Sequence, residues 1–249
     1  MAKSKTTRIL IGLPSYKGPH KWCFDNHYEM MYRLGRLAER EPHRFEFNLC
    51  SEVGNSQIGQ ARDRLCQAAL DQDMDYVLFW DDDMRFPTDS FERLLAHKKP
   101  VIGCLAFTAR QPITPVLYRF TRGWDFKDRR NRIDIYPIFR YERDSLVKVD
   151  GLGSAMLLIK TSVFRTIPKP WFYGHINCGE DIHFAVQCYE NNIPIFCDTS
   201  LKAQHYPNEV SQWHDEDMFL SRIDEIEENY VHPEPDDRNP NVQQRFAAV

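Results

Sequence analysis

The sequence predicts an open, mainly parallel α/β sheet flanked by helices, and three observations carry that prediction. The first hundred residues alternate between short β-rich runs and stretches whose apolar residues recur at helical spacing. The run Tyr76 to Trp80 is apolar throughout, as a strand covered on both faces requires. Every apolar run is also short and followed by turn residues, far below the ~20 residues that span a bilayer.

The elements follow in order. Arg8 to Leu13 is a β-rich run. Tyr28, Met31, Leu34 and Ala38 recur at the spacing of a helix face, and Phe45, Phe47 and Leu49 alternate with Arg44, Glu46 and Asn48 as in a strand. Ile58, Ala61, Leu65 and Ala68 mark a second helix, Tyr76 to Trp80 the third strand, and Phe91, Leu94 and Leu95 a third helix after the turn-rich Pro87 to Ser90. Val101 to Phe107 is the next strand. The second half predicts short strands near 113–120, 134–141, 146–150, 155–159 and 193–197, read as a mixed sheet edge or a smaller mixed β part. One helix there begins after Gly179, with Ile182, Ala185, Val186 and Tyr189 on one face. A last helix over 215–230 carries Phe219, Ile223, Ile226 and Tyr230 on one side. Residues 232–249 hold three prolines and little to bury, which predicts a flexible tail. With no repeat and no long linker, residues 1–231 read as one domain.

Composition narrows the class. A chain of 249 residues that is 42% hydrophobic and 13% aromatic can build a sizeable core. Its seven cysteines form no CxxC pair and mostly sit in apolar runs, so reduced thiols and a cytoplasmic setting are expected rather than a disulfide framework. Membrane insertion is not expected. The net charge of −4 conceals an asymmetry: residues 214–237 carry ten acids against one arginine, which leaves the rest of the chain positive. Residues 119–143 concentrate that charge in Arg119, Arg122, Lys127, Arg129, Arg130, Arg132, Arg140 and Arg143, interleaved with Trp124, Phe126, Tyr136 and Tyr141. A solvated hairpin explains this region; a surface for a polyanion is the sharper reading.

The third strand ends in Asp81-Asp82-Asp83, at the carboxyl edge of the sheet where ligands bind in open α/β folds. Alternation along an extended chain turns Asp81 and Asp83 one way and Asp82 the other. Two carboxylates on one side suit a divalent cation, Mn²⁺ or Mg²⁺, whose charge removes their repulsion. An acidic strand end capping the next helix accounts for one or two of the three. No GxGxxG follows the first strand, where Gly12 and Gly18 lack the spacing, and no GxxxxGK[ST] occurs, so dinucleotide and P-loop readings fall away.

With these residues in place, the chain resembles the GT-A fold glycosyltransferases and their DxD motif, Phe79-Trp80-Asp81-Asp82-Asp83-Met84. Other stretches agree in order: Leu13 to Tyr16, Ala61 to Leu65, Asp150 to Leu157, Gly179-Glu180-Asp181 and Gln204-His205-Tyr206, together spanning roughly residues 8 to 207. The resemblance implies transfer of a sugar from a nucleoside-diphosphate sugar to an acceptor hydroxyl, with inversion. It divides the domain into a nucleotide-sugar-binding half, 1–107, and an acceptor-binding half, 108–231. Asp83 is then the direct metal ligand, Asp81 holds the ribose or the metal, Asp82 belongs to the donor site, and His205 completes the coordination. Arg62 assists at the diphosphate, and Pro14, Ser15 and Tyr16 lie near the nucleobase.

Other assignments rest partly on that likeness. His205 alone reads as a core or surface histidine as readily as a ligand. Glu180 and Asp181 are the candidate catalytic acids, with Asp181 the base that takes the acceptor's proton. Acids in a first helical turn are favoured by the free N–H groups whatever their function, and that setting lowers a carboxylate pKa. Gly151 and Gly153 mark a bulge or turn, or a stretch against donor and acceptor. Trp171, Phe172 and Tyr173 are an acceptor platform or core. The basic 119–143 region points to a nucleic-acid acceptor, a hydroxylated base in DNA as in phage-type glucosyltransferases. Two other classes use the same residues: a metal-dependent phosphoesterase or nucleotidyltransferase, and a non-catalytic sugar- or nucleotide-binding module. The oligomeric state is not legible in the sequence.

Overall fold

The computed structural model describes residues 6–125, 130–174, 179–206 and 213–230, with only the backbone at 123–125 and 130–132. The expected tail at 232–249, Lys127, Arg129, Phe126, Cys178 and the side chains of Trp124, Arg130 and Arg132 therefore lie outside the described residues.

In chain order the strands are β1 (Thr7–Ser15), β2 (Phe45–Val53), β3 (Tyr76–Trp80), β4 (Met84–Arg85), β5 (Val101–Leu105), β6 (Leu117–Asp125), β7 (Arg130–Pro137), β8 (Leu146–Val149), β9 (Gly151–Leu152), β10 (Met156–Lys160), β11 (Ile195–Lys202) and β12 (Gln204–His205). The helices are α1 (Phe24–Arg40), α2 (Ile58–Asp71), α3 (Ser90–Ala96), α4 (Thr161–Thr166), α5 (Glu180–Glu190), α6 (Glu216–Leu220) and α7 (Ile223–Asn229). The main sheet has seven strands in the order β2-β1-β3-β10-β5-β11-β8. Five run the same way, while β10 and β8 run against their neighbours. Two smaller sheets complete the fold, β7-β6-β9 and the short clip β12-β4.

Strand alternation divides the core. Val77 and Phe79 of β3 join Leu65 of α2 and Phe184 of α5 on one face, whereas Leu78 and Trp80 join Met30 and Leu34 of α1 and Phe91 of α3 on the other. Asp81 keeps to the pleat for one more step, with its N–H donated to Ala155 O at 2.8 Å. Beyond it the chain turns through Asp82 and Asp83 into β4.

Three expectations need correction. The strand expected at 155–159 is no edge element: as β10 it lies in the centre of the sheet, antiparallel to both β3 and β5. The helix face expected from Tyr28, Met31, Leu34 and Ala38 is rotated, since Asn26, His27, Met30 and Leu34 are buried and Tyr28 is exposed. Two polar residues claim the inner face because they have buried work to do, described below. The last helix is broken at Ser221-Arg222 into α6, capped by the Asp215 carboxylate accepting from Met218 N, and α7, with Phe219 and Ile226 buried. Among the described residues no helix is long and apolar enough to cross a membrane.

The close approach of β10 to β5 requires a glycine distant in sequence. Gly103 of β5 faces it so closely that a Cβ would lie 2.5 Å from Met156 O. Gly103→Ala should therefore force the two backbones apart and cost about 1–3 kcal/mol, read as a lower urea midpoint at unchanged slope. An unchanged midpoint would show that the strands are not packed this tightly.

Candidate functional site

The three carboxylates after β3 are sorted by three partners. Asp81 stays on the Phe79 face and meets Arg62 of α2, whose Nη2 lies 2.8 and 3.0 Å from the two carboxylate oxygens. Asp82 accepts a hydrogen bond from Ser15 Oγ at the end of β1, and that hydroxyl in turn accepts from Gly18 N at 2.8 Å. Asp83 approaches His205, with Nε2 3.3 Å from Oδ2. Expected to share one side, Asp81 and Asp83 are instead divided between two separate partners, Arg62 and His205.

The clip of β4 on β12 brings His205 there. His205 pairs with Met84, and Tyr206 N donates to Asp83 O at 2.8 Å. The other ring nitrogen, Nδ1, sits 2.8 Å from Phe107 O. A carbonyl can only accept, so this contact places a proton on Nδ1 and turns Nε2 toward Asp83. Burial lowers the histidine's pKa, but the Asp83 carboxylate and the Phe107 carbonyl outweigh it and the net direction is upward. Among the described residues no three His, Cys, Asp or Glu side chains gather into a closed metal cage. What stands here is an open pair of one carboxylate oxygen donor and one imidazole nitrogen donor.

Arg62 is the hub of the other half. It is 1% exposed, stacks over Phe79 at 5.2 Å, and reaches past Asp81 to Glu180 Oε1, 3.4 Å from Nε. Burial works against its charge, yet Asp81 and Glu180 more than compensate, so the guanidinium stays firmly ionised. Burial likewise pushes the Asp81 carboxyl up, to about 7, while Arg62 pulls it back. Its Nη1 is buried with no hydrogen-bond partner. Gly59 makes the reach possible: a Cβ there would lie 2.9 Å from Phe172 O and 3.1 Å from the Glu180 Cβ, so α2 and the start of α5 touch.

Asp181, next along α5, accepts its own helix's Ile182 N at 2.8 Å. The helix start was expected to lower its pKa; burial is the larger effect and raises it to about 6, with the Glu180 charge adding to the rise. Tyr118 of β6 faces the same region, its phenol pushed up by burial and by Asp181. Glu180, expected as a catalytic acid, is committed to Arg62.

The remaining expected site residues separate. Pro14 and Ser15 are buried at the strand end and Tyr16 is exposed. The spaces beside Gly151 and Gly153 are filled by Phe120 and Val116, with built Cβ atoms 2.9 Å from each, so close packing of β9 on β6 explains both glycines. Trp171 and Phe172 belong to the core, and only Tyr173 is open. Asp63 fixes that loop by accepting from Phe172 N at 2.8 Å.

Three residues were not anticipated. Asn26 clamps Phe86 with paired hydrogen bonds of 2.8 and 2.9 Å to its backbone, and His27 Nε2 lies 3.2 Å from Asp81 O. His214 flanks His205 through reciprocal backbone bonds of 2.8 and 2.9 Å, its Nδ1 2.8 Å from Thr108 O. Asn26 and His27 were detectable as polar residues on what proves the buried face of α1; His214 had no local signal.

No family model and no curated protein matches the sequence. Among solved structures, the fold is similar to that of A197 from STIV, with a TM-score of 0.53 at 18% identity over 82% of this chain and 87% of that one. GalNAc-T7, solved with UDP, GalNAc and Mn²⁺, aligns at a TM-score of 0.46 and 12% identity over 90% of this chain and 48% of its own. TarS of S. aureus, solved with UDP-GlcNAc, aligns at 0.44 and 12% over 77% and 56%. The chain thus spans about half the length of the latter two. The five co-directional strands, the antiparallel strand between β3 and β5, and helices on both faces make this an open, mainly parallel α/β fold of the kind the sequence predicts, shared with A197.

Proposed function

We propose that the protein is a metal-dependent glycosyltransferase that moves a sugar from a nucleoside-diphosphate sugar to an acceptor hydroxyl with inversion. The observation that carries this reading is the Asp83–His205 pair at the tip of β3, in which the Phe107 carbonyl fixes the tautomer and turns Nε2 toward the carboxylate. A backbone acceptor on the far nitrogen is what orients a metal-binding imidazole. A hard carboxylate oxygen from Asp83 and the imidazole of His205, when neutral, would suit Mn²⁺ or Mg²⁺. Bound there, the cation supplies Lewis-acid stabilisation of the charge that builds on the departing diphosphate.

The chain's own residues do the rest. Arg62, buried on the closed side of the site, holds Asp81 and Glu180 in place beneath the donor diphosphate. Ser15 orients Asp82, and the exposed Tyr16 ring offers a face to the nucleobase. Asp181 takes the proton of the acceptor hydroxyl as its oxygen bonds to the anomeric carbon and the carbon–oxygen bond to the diphosphate breaks. A pKa near 6 suits that role better than an ordinary carboxylate, since a base acts best when its pKa approaches the working pH.

A nucleic-acid acceptor is the more specific form of this reading. It is motivated by Arg119, Arg122 and Lys148 on β6 and β8, where Arg122, Lys148 and Asn192 line a cavity of about 320 Å³. That surface lies at the opposite end of α5 from Asp181, about 16 Å away for an 11-residue helix. DNA bound there should dissociate as salt rises, with a slope set by the phosphates contacted; binding indifferent to salt removes this acceptor without touching the transfer reaction.

Two measurements test the core of the proposal. Mn²⁺ with a nucleoside diphosphate should raise the melting temperature as the logarithm of ligand concentration, and a panel of nucleotide sugars should show slow donor hydrolysis. Asp83→Asn and His205→Ala should each lose that stabilisation and at least about 100-fold in turnover. Release of free sugar phosphate instead would assign a phosphoesterase, and full ligand stabilisation in Asp83→Asn with no turnover by any form would assign a binding module.

The second concerns Asp181. As the base it must be ionised, so turnover should fall about tenfold per unit as pH drops below 6. Its folded-state pKa lies above the unfolded one, so the folded state holds the extra proton and stability is lost as pH rises from about 4 to about 6. Asp181→Asn should therefore be inactive yet melt higher than the parent at about pH 8, with the margin gone near pH 4. An active Asp181→Asn ends its role as base.

A further inference from the structure

Helix α1 has a face the proposed reaction does not use. Phe24, Tyr28 and Tyr32 are 63%, 66% and 62% exposed, and at four-residue spacing they form one stripe, opposite the buried Asn26, His27, Met30 and Leu34. Single exposed aromatic residues need no explanation, but three in a row on one helix do. On the same stripe, three residues after Tyr32, stands Gly35. It is exposed, its backbone is ordinary helix, and nothing lies within 4 Å of a Cβ built on it. A glycine inside a helix is the least favourable residue after proline. The isolated chain gives it no reason to be there.

Charge is arranged along the flank beside the stripe. Asp25 and Glu29 occupy its first half, Arg33 and Arg36 its second. Asp25, Arg33 and Arg36 already pair with Arg85, Glu92 and Glu39 at 3.1, 2.7 and 2.9 Å, and with their own side chains largely exposed such pairs are worth little and readily shared. A polyanion would meet the two acids beside the rings, which disfavours nucleic acid here.

We propose that this face pairs antiparallel with the same face of a second copy of the chain. In an isologous contact residue i meets j and j meets i. Setting Tyr28 against Tyr32 of the partner brings Phe24 over Gly35 of the partner, where the missing side chain leaves room for the ring. The same register sets Asp25 and Glu29 beside the partner's Arg36 and Arg33. One register thus uses the rings, the glycine and the charge order together. The area is sufficient: an aromatic side chain covers about 150–250 Å², so six rings at the observed exposure remove roughly 600–1,000 Å². The charged stems alongside bring the total to the ~1,200 Å² at which stable interfaces begin.

Sedimentation equilibrium of the full chain over a range of concentrations tests this directly and needs no substrate, so it stands apart from the reaction. The expected result is a reversible dimer. Tyr28→Arg, a surface change, should weaken it at least about tenfold, a loss of ~1.4 kcal/mol. Gly35→Ala should weaken the dimer although it favours the helix. Tyr28→Cys mixed with Tyr32→Cys should form a disulfide-linked dimer under mild oxidation that neither forms alone in comparable yield. A single-chain mass at about 100 µM, where even weak dimers of ~10 µM dissociation constant are populated, would overturn the proposal. So would a dimer indifferent to Tyr28→Arg, or a Gly35→Ala variant that melts higher and associates as before.

Discussion

A single buried cation fixes the geometry on which the rest depends. Arg62 leaves α2 and lies between Asp81 at the end of β3 and Glu180 at the start of α5, essentially without exposure to water. Removing a guanidinium from water costs several kcal/mol unless opposite charge receives it, so the arrangement persists only because both acids are in place. The converse also holds, since Asp81 and Glu180 are themselves held in a poorly solvated region. Three elements far apart in sequence are thereby locked to one point. The Phe79 ring beneath the guanidinium and the contact at Gly59 set how closely they come.

Three adjacent carboxylates repel, and the fold answers that repulsion with three unlike partners rather than one. A guanidinium takes Asp81, a hydroxyl takes Asp82 and an imidazole takes Asp83. The partners come from α2, β1 and β12, so the acid turn becomes a junction between segments that the sheet alone would not join. The inner face of α1 completes the junction, with Asn26 holding the Phe86 backbone and His27 the Asp81 carbonyl. Asp83 stands at the outer edge with its side chain 41% exposed, within reach of anything arriving from solvent. The site is thus closed on the arginine side and open on the histidine side, which is the polarity a ligand entering from the sheet edge requires.

The parts legible in the sequence are those fixed by local pattern. β1, β2, β3 and β5 and the helices between them follow from periodicity, and the acidic turn follows from its place after an apolar run. What escaped depends on long-range contacts. Nothing near residues 155–160 says that this strand inserts between β3 and β5; a glycine fifty residues earlier, Gly103, makes the space. The Tyr28 face was misassigned because spacing alone cannot tell which of two semi-polar faces is turned inward. Among the site residues, Asp83 and His205 were paired in advance through the family likeness. The union of Arg62 with Glu180, 118 residues apart, has no local signature.

Asp181 shows the same limit as a contest of magnitudes. Its place in the first turn of α5 argues for a depressed pKa, an effect worth about 0.3–1 kcal/mol on an exposed helix. Burial acts on the same group in the opposite direction and can exceed that several-fold, because a carboxylate loses its hydration outright while a helix end offers only partial charges. Glu180, one residue away and paired with Arg62, acts on Asp181 in the same direction as burial. The outcome is a carboxyl held above its ordinary range by burial first and the Glu180 charge second, with Arg62 pulling it part of the way back. The arginine that ties Asp81 to Glu180 and the acid it partly relieves are therefore two ends of one electrostatic arrangement, and altering either shifts the other.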